Sequence, residues 1–171
     1  YKEWGEVKGK PVRVREGNET KTLMKPTFGE NLRFFFTYQI GHMYMRYFMW
    51  NFVGRQNDEQ GHGSFTNGNW ISGISFLDEP KIGPWDNMPD FMKNDPSRNT
   101  YYFLPLLFGL IGMFYQYNKG KKGKEGFTVT MLLFVFTGLA IIVYLNQYPY
   151  QPRERDYAYA GSYYAFAIWI G

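Results

Sequence analysis

Two short polar clusters contain the side chains whose types and spacing are best suited to chemistry. They lie at residues 54–63 (GRQNDEQGHG) and 151–156 (QPRERD). A guanidinium can hold a phosphate through two charge-assisted hydrogen bonds, and a carboxylate beside it can act as a general base or orient a hydroxyl group. The alternative is that these charges only anchor the ends of membrane helices, but anchoring does not require Asp and Glu interleaved with Arg. The candidate residues for binding a substrate or carrier are Arg55, Asn57, Asp58, Arg153, Glu154, Arg155 and Asp156.

Other kinds of site have little support in the sequence. The absence of cysteine excludes disulfides, thiolate zinc sites and a Cys nucleophile. His42 has no carboxylate one turn away, which favours a packed histidine, and His62 lies between two glycines in a loop. No nucleophile elbow, phosphate-binding glycine loop or dinucleotide fingerprint is present. We therefore predict no metal, no cofactor and, because the basic residues are scattered, no nucleic acid partner.

Two long uncharged segments must position these clusters. Tyr101–Tyr117 has 17 uncharged residues and Phe127–Leu145 has 19, and both are apolar enough to cross a bilayer. Tyrosines flank both segments, as in the aromatic belts of membrane proteins. The alternative is a pair of buried helices in a soluble bundle. We predict transmembrane helices at residues 99–117 and 127–147.

The charge of the connecting segment predicts the orientation of these helices. Residues 118–126 (NKGKKGKEG) contain four Lys and one Glu, and short Lys-rich loops mark the cytoplasmic side. Residues 54–98 and 148–156 then both lie on the outer face. The two polar clusters are therefore expected on the same side of the membrane.

The segment at residues 31–53 is rich in aromatic side chains. Nine of its 23 residues are Phe, Tyr or Trp, and Arg46 lies well inside it. Aromatic residues prefer the headgroup level, and a central Arg is costly in hydrocarbon. This composition favours an interfacial or partly buried helix over a span. On an α-helix, one face would carry Gln39, His42, Arg46 and Trp50.

The predicted fold is mainly α, a fragment of a polytopic transmembrane helical bundle. Residues 1–30 form an extracytoplasmic polar segment with a possible hairpin, and 54–98 form an extracytoplasmic loop region. The apolar residues 157–171 are expected to begin a further, truncated membrane helix, so we expect the chain to be part of a longer protein.

Five long motifs resemble one protein family. They are PTFGENLRFFFTYQ, MYMRYFMWNFVGRQND, NGNWISGI, YYFLPLLFGLIG and YLNQYPYQPRERDYAYAGSYYAFAIWIG, which together extend over nearly the whole chain. They resemble a family of large bacterial inner-membrane proteins that was long classified as a domain of unknown function. That family is similar to the GT-C glycosyltransferases and to a eukaryotic protein O-mannosyltransferase.

The resemblance implies a multi-pass enzyme of the bacterial inner membrane. Such an enzyme takes a sugar from a lipid-phosphate-linked donor and passes it to an acceptor, here expected to be a protein, on the outer face. In GT-C enzymes the catalytic acidic residue usually lies in the first extracytoplasmic loop, which this chain is not expected to contain, so no catalytic base is assigned. The alternative is a non-enzymatic transport or assembly subunit. Transport would favour charged residues within the spans, and the two uncharged segments contain none.

Overall fold

The computed structural model describes residues 8–17, 19–61, 64–149 and 155–171 of the chain. The fold is mainly helical, with 60% of residues in helices. The strands are β1 (Lys10–Glu16), β2 (Glu19–Lys25), β3 (Gly54–Arg55) and β4 (Asn99–Thr100). The helices are α1 (Phe28–Phe34), α2 (Arg46–Phe52), α3 (Ser75–Ile82), α4 (Asp90–Lys93), α5 (Leu104–Asn118), α6 (Gly120–Thr137), α7 (Leu139–Leu145) and α8 (Ala160–Ala167).

An antiparallel hairpin of β1 and β2 precedes the helices. In β1 the apolar residues Val12 and Val14 alternate with Arg13 and Arg15, which suits an extended strand. Glu30 ties the hairpin to α1, because its carboxylate accepts hydrogen bonds from Thr27 in a capping box and from the N–H groups of Lys8 and Gly9. The bonds from Thr27, followed by those from Gly9 and Lys8, lower the pKa of Glu30 to about 2.

Helices α1 and α2 are continuous through a π-helix at Phe35–Met45, here called the π-segment. The aromatic stretch at residues 31–53 is therefore helical, and most of its aromatic side chains are buried against other parts of the chain. The polar residues predicted on one α-helical face contact different segments. Gln39 donates to Asn146 and to the Gln147 carbonyl, whereas Arg46 donates to the loop that follows α2.

Aromatic side chains from α2, α6 and α8 form the centre of the bundle. Phe48 and Phe52 pack against Phe166 and Trp169, with ring centroids 4.6 Å apart for Phe52 and Phe166. Glycines on α5 allow α8 to approach closely. A Cβ at Gly109 would overlap the Phe166 ring, and one at Gly112 would overlap the backbone of Trp169.

The boundaries of the apolar helices differ from the predicted ones. Helix α5 begins at Leu104 instead of residue 99, because Asn99–Thr100 pair with β3 and Phe103 adopts a left-handed conformation before Pro105. The predicted loop at 118–126 is mostly helical, since Gly120 at φ +80° makes the reversal and the lysines after it continue as α6.

The second apolar segment is interrupted at Gly138, which separates α6 from α7. A Cβ at Gly138 would lie 2.8 Å from the Tyr44 hydroxyl and 2.9 Å from the Ser162 Cβ. The break therefore lies where the π-segment and α8 both approach. Among the described residues, one stretch is long and apolar enough to cross a membrane, Gly120–Leu145, and only 17% of its most apolar part is buried.

Residues 54–98 are ordered as a small unit over their described part. Strand β3 pairs with β4, and Arg55 also forms a bridge with Trp70. The buried Arg46 guanidinium holds the loop after β3, donating from Nη1 to the carbonyls of Gly61 (2.8 Å) and Gly68 (3.4 Å). These hydrogen bonds to backbone carbonyls offset part of the free-energy cost of burying the Arg46 guanidinium.

Candidate functional site

Residues from both predicted polar clusters line one open cavity of about 540 Å³. Arg55 and Asp58 come from the first cluster and Asp156 from the second. Pairing of β3 with β4 and packing of α8 against α6 bring these distant parts of the chain to the same place. The cavity therefore combines one guanidinium with two carboxylates.

The remaining wall is mainly aromatic. The aromatic residues that line the cavity are Tyr47, Trp50, Tyr101, Tyr157 and Tyr163. The indole Nε1 of Trp50 is buried and has no hydrogen-bond partner in the described part of the chain. The lining exposes more polar than apolar surface, because amide and charged groups lie between the aromatic rings. Such a lining suits a polar ligand that makes several hydrogen bonds.

Arg55 is positioned by the turn between α2 and β3. Gly54 adopts φ +141°, and a Cβ there would lie 2.5 Å from the Asn99 carbonyl oxygen, so only glycine fits. Arg55 is the next residue, and its Nε donates a hydrogen bond to the Ser97 carbonyl at 2.8 Å. No described residue accepts a hydrogen bond from its two terminal nitrogens, which leaves them available for an anion.

Asp58 is held by the same short segment of chain. Its backbone N–H donates to the Ser97 hydroxyl at 3.0 Å, and that hydroxyl donates to Asp95. The Ser97 hydroxyl and N–H, helped by the charges of Arg55 and Arg98, hold the pKa of Asp95 below its ordinary value. The ionised Asp95 therefore fixes the segment that positions both Arg55 and Asp58.

The remaining residues predicted for the site are not among those that line the cavity. Asn57 is buried and orders the loop, accepting from the Gly68 N–H at 2.9 Å and donating to Thr66 and Asn67. Arg155 is exposed and does not line the cavity. Arg153 and Glu154 lie outside the described residues, as does His62.

Sequence reasoning missed several cavity residues. Trp50 and Asn51 lie only a few residues before the first cluster, so their position close to the polar run was a usable signal. Asn51 donates from its amide to the Tyr47 carbonyl at 2.7 Å. No sequence signal marked Asn99 as a cavity residue, because its position next to Arg55 depends on the pairing of β4 with β3. Over the described ranges, no group of three or more metal-ligating side chains comes together.

No family model, curated protein or solved structure matches this chain.

Proposed function

We propose that this chain is part of a membrane-embedded, GT-C-like glycosyltransferase. It would move a sugar from a lipid-phosphate carrier to an acceptor on the outer face of the bacterial inner membrane. The resemblance described above implies that the acceptor is a protein. The observation that carries the proposal is the shared cavity of Arg55, Asp58 and Asp156. These groups come from two clusters singled out for phosphate and hydroxyl recognition.

Arg55 is the group best suited to the carrier phosphate. Its Nε is engaged by the Ser97 carbonyl, which fixes the plane of the guanidinium, and its terminal nitrogens can donate to two phosphate oxygens. Asp58 and Asp156 can accept hydrogen bonds from sugar hydroxyls, and the aromatic wall offers apolar faces for the sugar ring. In this proposal the exposed Arg155 recruits the carrier from outside the cavity. Arg153 and Glu154 are proposed to bind the carrier as well, on the strength of the sequence alone.

The membrane placement rests on the apolar stretch Gly120–Leu145. Its 26 residues are about 39 Å long at 1.5 Å per residue, which exceeds a hydrocarbon core of about 30 Å. The lysines at its start favour the cytoplasmic side, so Leu145 and the cavity residues after it would lie outside. We propose α5 as a second span of a polytopic bundle. Its 15 residues reach only about 22 Å, so its flanking tyrosines would complete the crossing.

The test compares Arg55→Lys with Arg155→Lys in the chromosomal copy of the full protein. Lysine keeps the charge but loses the two-pronged donor. We expect Arg55→Lys to leave the protein level and melting temperature unchanged and to lower glycosylation of periplasmic proteins about tenfold, measured by glycopeptide mass spectrometry. The control Arg155→Lys should have a smaller effect, because Arg155 does not line the cavity.

Normal glycosylation in a well-folded Arg55→Lys strain would refute the role of this cavity in transfer. A second measurement separates the enzyme from a transport or assembly subunit. If the purified protein binds vesicles containing polyprenyl phosphate through Arg55 while the glycoprotein pool is unchanged by Arg55→Lys, the non-enzymatic alternative is favoured.

A further inference from the structure

A second cavity of about 280 Å³ lies against the opposite face of the segment at residues 98–102. Successive side chains of an extended segment point to opposite faces, and here they alternate between two cavities. Asn99 and Tyr101 line the candidate site, whereas Arg98, Thr100 and Tyr102 line the second cavity. No residue is shared between the two linings, so the second cavity is a separate site.

Arg98 supplies a cationic donor to this second cavity. Its guanidinium carbon lies 3.6 Å from the centroid of the Trp85 ring, a cation–π contact that helps to hold the group in place. The Nη1 atom of Arg98 is buried and has no hydrogen-bond partner in the described part of the chain. A buried guanidinium nitrogen without an acceptor is costly, so an anionic group of a ligand would satisfy it.

Two carboxylates line the same cavity. Asp78 is only 5% exposed, and its oxygens accept hydrogen bonds from the Ser72 N–H and hydroxyl and from the Gly73 N–H. Those donors fix the position of its carboxylate in the wall of the cavity. Glu79 beside it is exposed, and no described residue donates to its carboxylate. A dianion such as phosphate would meet two negative charges here, whereas a ligand with one negative and one positive group would match both signs.

The rest of the wall indicates the body of the ligand. Ile82, Trp85 and Tyr102 give apolar surface, and the volume lies at the lower end of small-molecule pockets. We propose that this cavity binds a small zwitterion with an apolar side chain, of the α-amino acid class. Its carboxylate pairs with Arg98, its ammonium pairs with Glu79, and its side chain packs on Ile82 and Tyr102.

The test is calorimetric titration of the purified, detergent-solubilised full protein with leucine. Two matched probes each lack one charged group: 4-methylpentanoate has no ammonium and 3-methylbutylamine has no carboxylate. We expect leucine to bind at least about fivefold more tightly than either probe, and more tightly than inorganic phosphate. This readout is binding alone, so it does not depend on the proposed transferase.

Variants assign the two charged contacts. Glu79→Gln should weaken leucine about fivefold and leave 4-methylpentanoate unchanged, whereas Arg98→Lys should weaken both about tenfold. Glu59→Gln, an exposed carboxylate outside the cavity, is the control and should change neither. Because Glu79 is exposed, its variant stays informative even if Arg98→Lys destabilises the fold.

Saturable binding of leucine that is lost with these variants supports the proposal. Three results would overturn it: no saturable binding of leucine, tighter binding of phosphate than of leucine, or leucine binding that Glu79→Gln leaves unchanged.

Discussion

Replacing Arg46 with methionine would remove the donor that connects α2 to the loop after β3. Methionine keeps an unbranched apolar stem that ends near the position of Nε, and it has no N–H group in its side chain. The carbonyls of Gly61 and Gly68 would lose their bonds to Nη1, and the His42 carbonyl would lose its bond to Nε. The substitution also removes the charge and the contacts of the guanidinium carbon with the Tyr47 and Trp50 rings, 4.6 Å and 5.5 Å from their centroids.

The magnitude follows from these contacts. A hydrogen bond to a charged group contributes about 1.5–3 kcal/mol, and a buried carbonyl left without a donor costs about 1–3 kcal/mol. The Gly68 contact is long at 3.4 Å, so only two of the three bonds are counted in full. Burial of the guanidinium itself offsets part of the gain. We expect a loss of about 2–5 kcal/mol, which corresponds to a fall in melting temperature of roughly 5–15 °C for a chain of this size.

Thermal unfolding in detergent and hydrogen–deuterium exchange measure this effect. The exchange should rise mainly in peptides covering residues 54–61 and 64–70, because Arg46 holds that loop. Arg33→Met is the matched control, since Arg33 is exposed on α1. If Arg46→Met melts like Arg33→Met and the loop exchanges at the same rate in both, Arg46 does not hold the loop after β3.

Three further predictions concern charge, packing and orientation. Hydrogen bonds from Thr27 and its neighbours hold the pKa of Glu30 near 2, below its ordinary 4.5, so this stabilisation is complete above about pH 4.5 and is lost as the pH falls towards 2. The rise in hydrogen–deuterium exchange of the β1–β2 hairpin on acidification should therefore be smaller in Glu30→Gln than in the native chain. An unchanged pH dependence in this variant would contradict the assignment. Gly138→Ala should cost about 1–3 kcal/mol because its Cβ overlaps neighbouring helices, and a melt equal to that of the native chain would disprove this close packing. An impermeant thiol reagent applied to intact cells should label Ser64→Cys and not Lys121→Cys, and the reverse pattern would overturn the proposed orientation.

Part of the candidate site could be predicted from the sequence. Arg55, Asp58 and Asp156 were singled out because charged residues of both signs follow apolar segments, and the Lys-rich connection suggested a common side for them. The structure brings these three residues to one cavity. The charge pattern of a short segment can predict such candidates, because charged residues next to an apolar helix are expected where that helix leaves the apolar environment.

The rest depended on tertiary structure. Asn57 and Arg155 belong to the same polar runs as the cavity residues, yet one is buried in the loop and the other faces solvent. Which side chain of a short irregular run points inward is decided by backbone turns that leave no periodic pattern. The start of α5 at Leu104 depended on the pairing of Asn99–Thr100 with a strand of only two residues, too short to show alternation.

The π-segment has a consequence for which side of α2 faces the cavity. A π-helical turn takes about one residue more than the 3.6 of an α-helix, so its residues advance through a smaller angle. Over the 11 residues of Phe35–Met45 the lag amounts to about two-thirds of a turn. The π-segment thus sets the rotational phase of α2 relative to α1. With an ordinary α-helix there, Tyr47 and Trp50 would be turned away from the cavity, and the aromatic wall would lose these two members without any change in sequence.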